Sequence, residues 1–156
     1  MATQATYDDA NLILRLFELR REEKLRAARD WFALNFGATT PEECMQLIPM
    51  GSQQNAYFRM VVSYWEMAAS FVTSGVLNQE LFLESGGELL FVWERVRVLV
   101  PQMREMFKNP EAWKNLEIVG NAAIERMKSK APEAYASFQA MNRSMLPAKE
   151  KADAAG

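Results

Sequence analysis

The chain has 156 residues, a formal net charge of −2, a single cysteine and no histidine. This length fits one domain of about 100–200 residues, and one cysteine excludes an internal disulfide framework and multi-cysteine zinc or iron–sulfur sites. The absence of histidine excludes Ser-His-Asp and Cys-His catalysis and histidine-ligated zinc or haem, and the acidic net charge argues against a nucleic-acid partner.

The first predicted element is a long helix from Asp8 to Phe36, a stretch without proline or glycine. Gly37 follows it, and glycine suits the left-handed position after a helix C-terminus. Both halves carry apolar residues at helical spacing, whereas residues 20–24 between them are charged without a gap. We therefore expect one helix whose two ends pack against the bundle and whose charged middle protrudes.

Helix-start signals divide the middle of the chain. Thr40 and Pro41 place a capping residue before a proline at the first helical position, so a short helix is predicted before Pro49. A central helix follows over residues 53–74, and it ends before a glycine. Asn78 then caps another helix, which two adjacent glycines interrupt.

The second half of the chain also reads as helical. An apolar run covers residues 89–100, but residues 95–100 alternate charged and β-branched side chains, as a strand also does. Because no partner strand with a hairpin turn is apparent, and an isolated strand is not stable, we predict helix there. Further helices are predicted from Asn109 to about Lys130 and from Pro132 onward, and the tail 148–156 is predicted to be disordered.

These elements together predict an all-α protein, an irregular bundle of five to seven helices forming a single domain over residues 1–147. The start of the chain is polar and lacks the pattern of a secretory signal. No apolar stretch approaches the ~20 residues that a membrane-spanning helix needs. We therefore expect a cytoplasmic protein with no membrane span.

Residues 53–74 form the most informative segment, because this helix is apolar over most of its circumference and therefore belongs inside the bundle. What remains is a polar seam that holds Ser63, Glu66 and Ser70. Three interpretations of Glu66 stay open: a surface residue, a buried carboxylate paired with an arginine, or a catalytic or metal-binding group. A buried carboxylate requires a partner. The candidate arginines are Arg95, Arg97 and Arg104.

Other side chains with reactive chemistry are few. Glu80, Glu84 and Glu88 recur at every fourth residue, which resembles acidic magnesium sites of helical nucleotide hydrolases, but no matching acids lie opposite them. A solvated helix face is the favoured interpretation of these glutamates. Cys44 has no histidine to activate it and is expected to behave as a small hydrophobic residue. We identify no catalytic, cofactor-binding or metal-ligating residue and expect no cofactor.

Several short motifs, in their order along the chain, carry a family resemblance over about residues 12–127. They are the charged segment Arg20–Arg29, the triplet Tyr64-Trp65-Glu66, Ser74-Gly75-Val76-Leu77-Asn78, Trp93, Pro101 with Arg104, and Asn109-Pro110-Glu111-Ala112-Trp113 leading to Leu116-Glu117. In these the chain resembles an uncharacterised family of small bacterial all-helical proteins, a domain of unknown function. The resemblance implies an all-α fold in which Glu66, Arg104 and Glu117 form a structural polar cluster, with Trp93 in the same framework, and it transfers no activity.

Two functions remain as hypotheses. The first is a helical protein-interaction or regulatory module, self-association included. Its support is the lack of chemistry-bearing residues, the charged first helix and a surplus of methionine and aromatic residues. Core filling is the favoured interpretation of the ten methionines, with an adaptable groove as the alternative. The alternative is a small-molecule binder or a carboxylate-dependent enzyme of the magnesium type. Its site would lie along the polar seam.

Overall fold

The computed structural model describes residues 3–148, and within this range the chain forms helices and no strand, which confirms the all-α class. The helices are α1 (Tyr7–Arg20), α2 (Glu23–Asn35), α3 (Pro41–Leu47), α4 (Gln53–Thr73), α5 (Gln79–Ser85), α6 (Glu88–Val96), α7 (Val100–Met106), α8 (Lys114–Lys130) and α9 (Pro132–Ser144), with a 3₁₀ turn (Arg97–Leu99) between α6 and α7. They exceed the five to seven that the sequence predicted. The predicted disordered tail lies outside the described residues, apart from Ala148.

The prediction of one long helix from Asp8 to Phe36 is wrong, because the chain breaks between α1 and α2. The side chain of Glu22 accepts a hydrogen bond from the Leu25 backbone N–H at 2.9 Å and so caps a new helix. Residues 21–24 of the charged middle are exposed, but two arginines, one on either side of them, are not directed at solvent. Arg20 and Arg29 turn towards the bundle and pair with Glu88 at the start of α6.

Two glycines after helices have different roles. Gly75 follows α4 with φ of +83°, the left-handed conformation expected at a helix end. The same expectation for Gly37 is wrong, because its φ is not positive. A Cβ at Gly37 would lie 2.5 Å from Leu146 Cδ1, so a larger residue at this position would require the Leu146 side chain, in the segment after α9, to shift.

Helix α4 runs through the interior, as predicted for residues 53–74. Its buried side chains include Val61, Trp65 and Ala69, and it packs mainly against α2 on one side and α8 on the other. Phe58 joins α4 to the end of α2, with its ring centroid 4.7 Å from that of Phe36. None of the helices within residues 3–148 combines the length and apolar composition that crossing a bilayer requires.

Helix α8 begins later in the chain than the predicted start at Asn109. The Asn109 side chain accepts a hydrogen bond from the Glu111 backbone N–H at 3.0 Å, which closes a turn and not a helix. Helix α8 begins at Lys114, directly after Trp113, whose φ of 57° is left-handed. Residues 95–100, which a strand pattern also fitted, are helical as predicted.

Candidate functional site

The carboxylate of Glu66 lies against the first turn of α8. Its two oxygens accept hydrogen bonds from the backbone N–H groups of Asn115 at 3.2 Å and Leu116 at 2.7 Å, and from the Asn115 side-chain amide at 2.9 Å. The first N–H groups of a helix have no intrahelical acceptor. Glu66 therefore supplies from α4 the cap that α8 lacks in its own sequence.

The other groups of the polar seam are also engaged in structure. The hydroxyls of Ser63 and Ser70 donate to carbonyl oxygens of α4 itself, Arg59 O and Met67 O. No ion pair joins Glu66 to an arginine anywhere in residues 3–148. The seam thus presents no free carboxylate to a substrate.

Arg104 and Glu117, the other two members of the predicted polar cluster, form an ion pair at 3.3 Å. Arg104 Nε also donates to the carbonyl oxygen of Ala112 at 2.9 Å, in the turn before α8. Glu66 and this pair therefore lie around the same helix start. No hydrogen bond joins Glu66 to Arg104 within residues 3–148.

Glu80, Glu84 and Glu88, which recur at every fourth residue, do not share one helix. The helix is interrupted at Gly86 and Gly87, so Glu88 belongs to α6. Glu80 of α5 pairs with Arg126 at 2.8 Å and with Lys130 at 3.2 Å on α8, and Glu84 pairs with Arg126 at 3.3 Å. Within the described part of the chain, no three histidine, cysteine or acidic side chains converge as metal ligands.

Glu88 is separate from the other two glutamates and largely buried. Arg29 Nε and Nη2 each donate to it at 2.7 Å, and Arg20 donates to the same carboxylate. Burial raises the pKa of Glu88, but the hydrogen bonds and charges of the two arginines outweigh this effect, so the pKa lies below its ordinary value. Glu88 is therefore ionised and paired at neutral pH.

Arg95 of α6 is the most deeply buried charged group described, with 6% of its surface exposed. Its guanidinium donates to the carbonyl oxygens of Phe36 at 2.7 Å and Ala33 at 3.0 Å, at the end of α2, and to Asn142 O at 2.8 Å in α9. Desolvation lowers the pKa of Arg95 to about 10, so it stays cationic at neutral pH. A positive charge among carbonyls at helix C-termini is favourable.

Sequence reasoning considered Arg95 only as a partner for Glu66. A signal was present, since Arg95 follows Val92 by three residues and so occurs on the apolar face of α6. A charge on such a face indicates a buried group with polar partners. Which carbonyls it meets depends on α2 and α9, which are distant in sequence.

Helix α9 separates two concave surfaces. On one side, a polar cleft of about 760 Å³ lies between α9, the middle of α8, the end of α6 and the loop after α2. Its side chains from α9 are Tyr135, Gln139 and Arg143. The Tyr135 hydroxyl donates to Glu94, and burial together with this bond raises the pKa of Tyr135, so the phenol stays protonated.

The opposite side of α9 borders an apolar groove of about 360 Å³, formed with α2 and α6. Phe91 and Phe138 line it, and so do Met141 and Met145, which are 53% and 39% exposed. Arg29, Asp30 and Glu88 supply the polar groups at its edge. The sequence favoured core filling for the methionines over an adaptable groove, and it did not single out Met141 or Met145, which are exposed here.

Comparison with known proteins identifies the family of this chain. A family model described as a domain of unknown function (DUF4760) covers residues 5–123, from the chain before α1 into α8, which confirms the resemblance to an uncharacterised family. No curated protein and no solved structure gives a significant match. Helix α9, which both concave surfaces share, follows the matched residues.

Proposed function

We propose that this chain, which belongs to the DUF4760 family of domains of unknown function, is a helical protein-interaction module. Its apolar groove would receive one amphipathic helix of a partner protein. The observation that carries the proposal is the pair of exposed methionines, Met141 and Met145, above a floor that includes Phe91 and Phe138. Contiguous exposed apolar surface with a polar edge is typical of protein-interaction sites.

The dimensions of the groove favour a helix over a flat protein face. A volume of about 360 Å³ accommodates a few large side chains, which is what a helix inserts through anchors at i, i+3, i+4 and i+7. Methionine side chains are unbranched and polarisable, so they adapt to anchors of different shape. The same property is used on surfaces that bind several partners.

The charged residues at the edge of the apolar groove indicate which charge the partner helix should carry. Arg29 and Glu88 hydrogen-bond to each other. Asp30 is exposed at the rim, and the described residues include no ion pair to its carboxylate. We therefore expect a lysine or arginine beside the apolar anchors of the partner helix.

Two model peptides test the proposal by fluorescence anisotropy. One is an amphipathic helix of leucine and lysine, and the other has glutamate in place of lysine. We expect the lysine peptide to bind and the glutamate peptide to bind about tenfold more weakly. Met141→Glu should abolish binding, and Asp30→Lys should reverse the preference. Asp8→Lys, an equal charge change on α1, is the control and should leave the preference for the lysine peptide unchanged.

Two outcomes would contradict the partner-helix proposal. Equal responses of Asp30→Lys and Asp8→Lys would show that only net charge attracts the peptide. A concentration-dependent dimer in light scattering that Met141→Glu dissociates would show that a second copy of the chain occupies the groove.

The remaining expectations stay predictions. The polar seam offers no support for a carboxylate-dependent enzyme, because its groups are bonded within the fold, so we propose a purely structural role for Glu66, Arg104 and Glu117. A bacterial origin, a cytoplasmic location, a single domain over residues 1–147 and the absence of nucleic-acid binding rest on the sequence alone.

A further inference from the structure

The side chains that line the polar cleft, on the other side of α9, are positively charged on balance, although the whole chain is negative. Four cationic and two acidic side chains line it, whereas the chain as a whole carries a net charge of −2. Its volume of about 760 Å³ lies in the usual range for small-molecule sites, about 300–1,000 Å³. Concave surfaces of one charge sign concentrate ligands of the other.

Part of this charge is already engaged and serves to make the cleft rigid. Arg95 at the floor donates to helix carbonyls, as described above. The carboxylate of Glu94 accepts from Tyr135, from Arg97 at 3.2 Å and from Gln139 at 3.3 Å. These bonds hold the side chains of α6 and α9 in place before any ligand arrives.

The cations at the mouth keep more of their donors free. Within residues 3–148, Arg143 of α9 and Lys128 of α8 have no ion pair to a carboxylate, and Lys128 lies over the Tyr135 ring at 5.2 Å. Arg97 uses one terminal nitrogen for Glu94 and Tyr135. Asn121 is oriented by the bond from Trp93 Nε1 to its Oδ1, at 3.1 Å, which leaves its amide N–H groups as donors.

We infer that the polar cleft binds a small anion with two or more negative charges, held by Arg143, Lys128 and Arg97 and oriented by Asn121. Phosphate and carboxylate groups share the required chemistry, because both accept charge-assisted hydrogen bonds from arginine and lysine. The inference does not depend on the apolar groove, since the two surfaces lie on opposite sides of α9.

Isothermal titration calorimetry at low ionic strength tests this inference, with pyrophosphate and citrate as separate probes and sodium chloride at matched ionic strength as the blank. We expect saturable binding of at least one probe. Binding of pyrophosphate alone would identify a phosphorylated ligand, and binding of citrate alone a polycarboxylate. Binding of both would show that charge and not geometry at phosphorus decides.

Some variants should weaken anion binding and one should strengthen it, which distinguishes a specific site from attraction by the overall charge of the chain. Arg143→Gln or Lys128→Gln should weaken binding about tenfold, as expected for one lost charge-assisted hydrogen bond. Glu125→Gln should strengthen it, because Glu125 adds a negative charge to the same wall. Arg15→Gln, which removes an equal charge from an exposed position on α1, is the matched control and should not change the affinity.

Two results would overturn the inference. One is the absence of saturable heat for either probe at millimolar concentration. The other is an equal loss of affinity in Arg15→Gln and Arg143→Gln, which would mean that the probes respond to the net charge of the chain. All four substituted positions are exposed, so circular dichroism should show that each variant keeps the wild-type fold.

Discussion

The carboxylate of Glu66 satisfies backbone N–H groups in the first turn of α8, which have no acceptor within their own helix. It also places a negative charge at the positive end of the helix dipole. The residue before α8 is Trp113, whose side chain cannot accept these hydrogen bonds. The stability of α8 therefore depends on a residue of α4.

Replacing this acceptor gives the first prediction. Glu66→Gln keeps the size of the side chain but places an NH₂ group opposite a backbone donor, so we expect the free energy of unfolding to fall by about 1–2 kcal/mol. Chemical denaturation measures the change. Glu105→Gln on α7 is the control and should stay within about 0.5 kcal/mol of wild type. Equal values for both variants would exclude a capping role.

The pair of arginines on Glu88 gives a pH prediction. Because the pKa of Glu88 in the folded chain is below its unfolded value, this carboxylate stabilises the fold above the unfolded pKa, and its contribution is lost as the pH falls through the folded pKa. In Glu88→Gln, unfolding free energy should therefore depend less on pH between about 5 and 3. Denaturation at a series of pH values measures this slope. A slope identical to that of wild type would contradict the pairing.

At the scale of elements, α6 and α8 approach so closely that one position between them tolerates only glycine. A Cβ on Gly120 of α8 would lie 2.4 Å from Cδ1 of Trp93 on α6. The Trp93 ring therefore packs directly on the backbone of α8. A glycine inside a helix normally weakens it, and here the contact with tryptophan offsets that cost.

Gly120→Ala tests this contact. Alanine favours the helix by up to about 1 kcal/mol, but overpacking costs about 1–3 kcal/mol, so we expect a net loss of unfolding free energy and an altered near-ultraviolet spectrum of tryptophan. At Gly87, an added Cβ meets no atom within 4 Å. Gly87→Ala should therefore lose less than about 1 kcal/mol and leave the spectrum unchanged. A stabilised Gly120→Ala would show that α6 and α8 are farther apart.

At the scale of the whole molecule, Arg95 joins three helices that are far apart in the chain. It belongs to α6 and donates to carbonyls of α2 and of α9. Removing such a donor leaves several buried acceptors without partners, and each costs about 1–3 kcal/mol. Helix α9, which borders both the polar cleft and the apolar groove, depends on this residue for its position.

Arg95→Met should therefore lower the free energy of unfolding by about 3 kcal/mol or more. Arg95→Lys keeps the charge but reaches fewer carbonyls, so its free energy of unfolding should fall by less than that of Arg95→Met. Hydrogen exchange should also show faster exchange in α9 than in α4, because the substitution releases α9 first. Equal exchange in both helices would mean that Arg95 does not hold α9 in place.

The sequence alone determined the all-α class, the central position of residues 53–74 and the caps at Thr40 and Asn78. These features follow from local physics: helical periodicity of apolar residues, prolines and capping side chains act within a few residues of one another. The structure bears them out, with Thr40 capping α3 and Asn78 capping α5.

Only the tertiary structure decided the partners of the charged residues Glu66, Glu88 and Arg95. Glu66, Glu88 and Arg95 find their partners 47 to 68 residues away, and the break between α1 and α2 brings two arginines onto one glutamate. Partners at such separations are set by how the helices pack, which the pattern of one segment does not contain. For the same reason, the polar cleft and the apolar groove cannot be predicted from one segment, because both form where α9 packs against α2, α6 and α8.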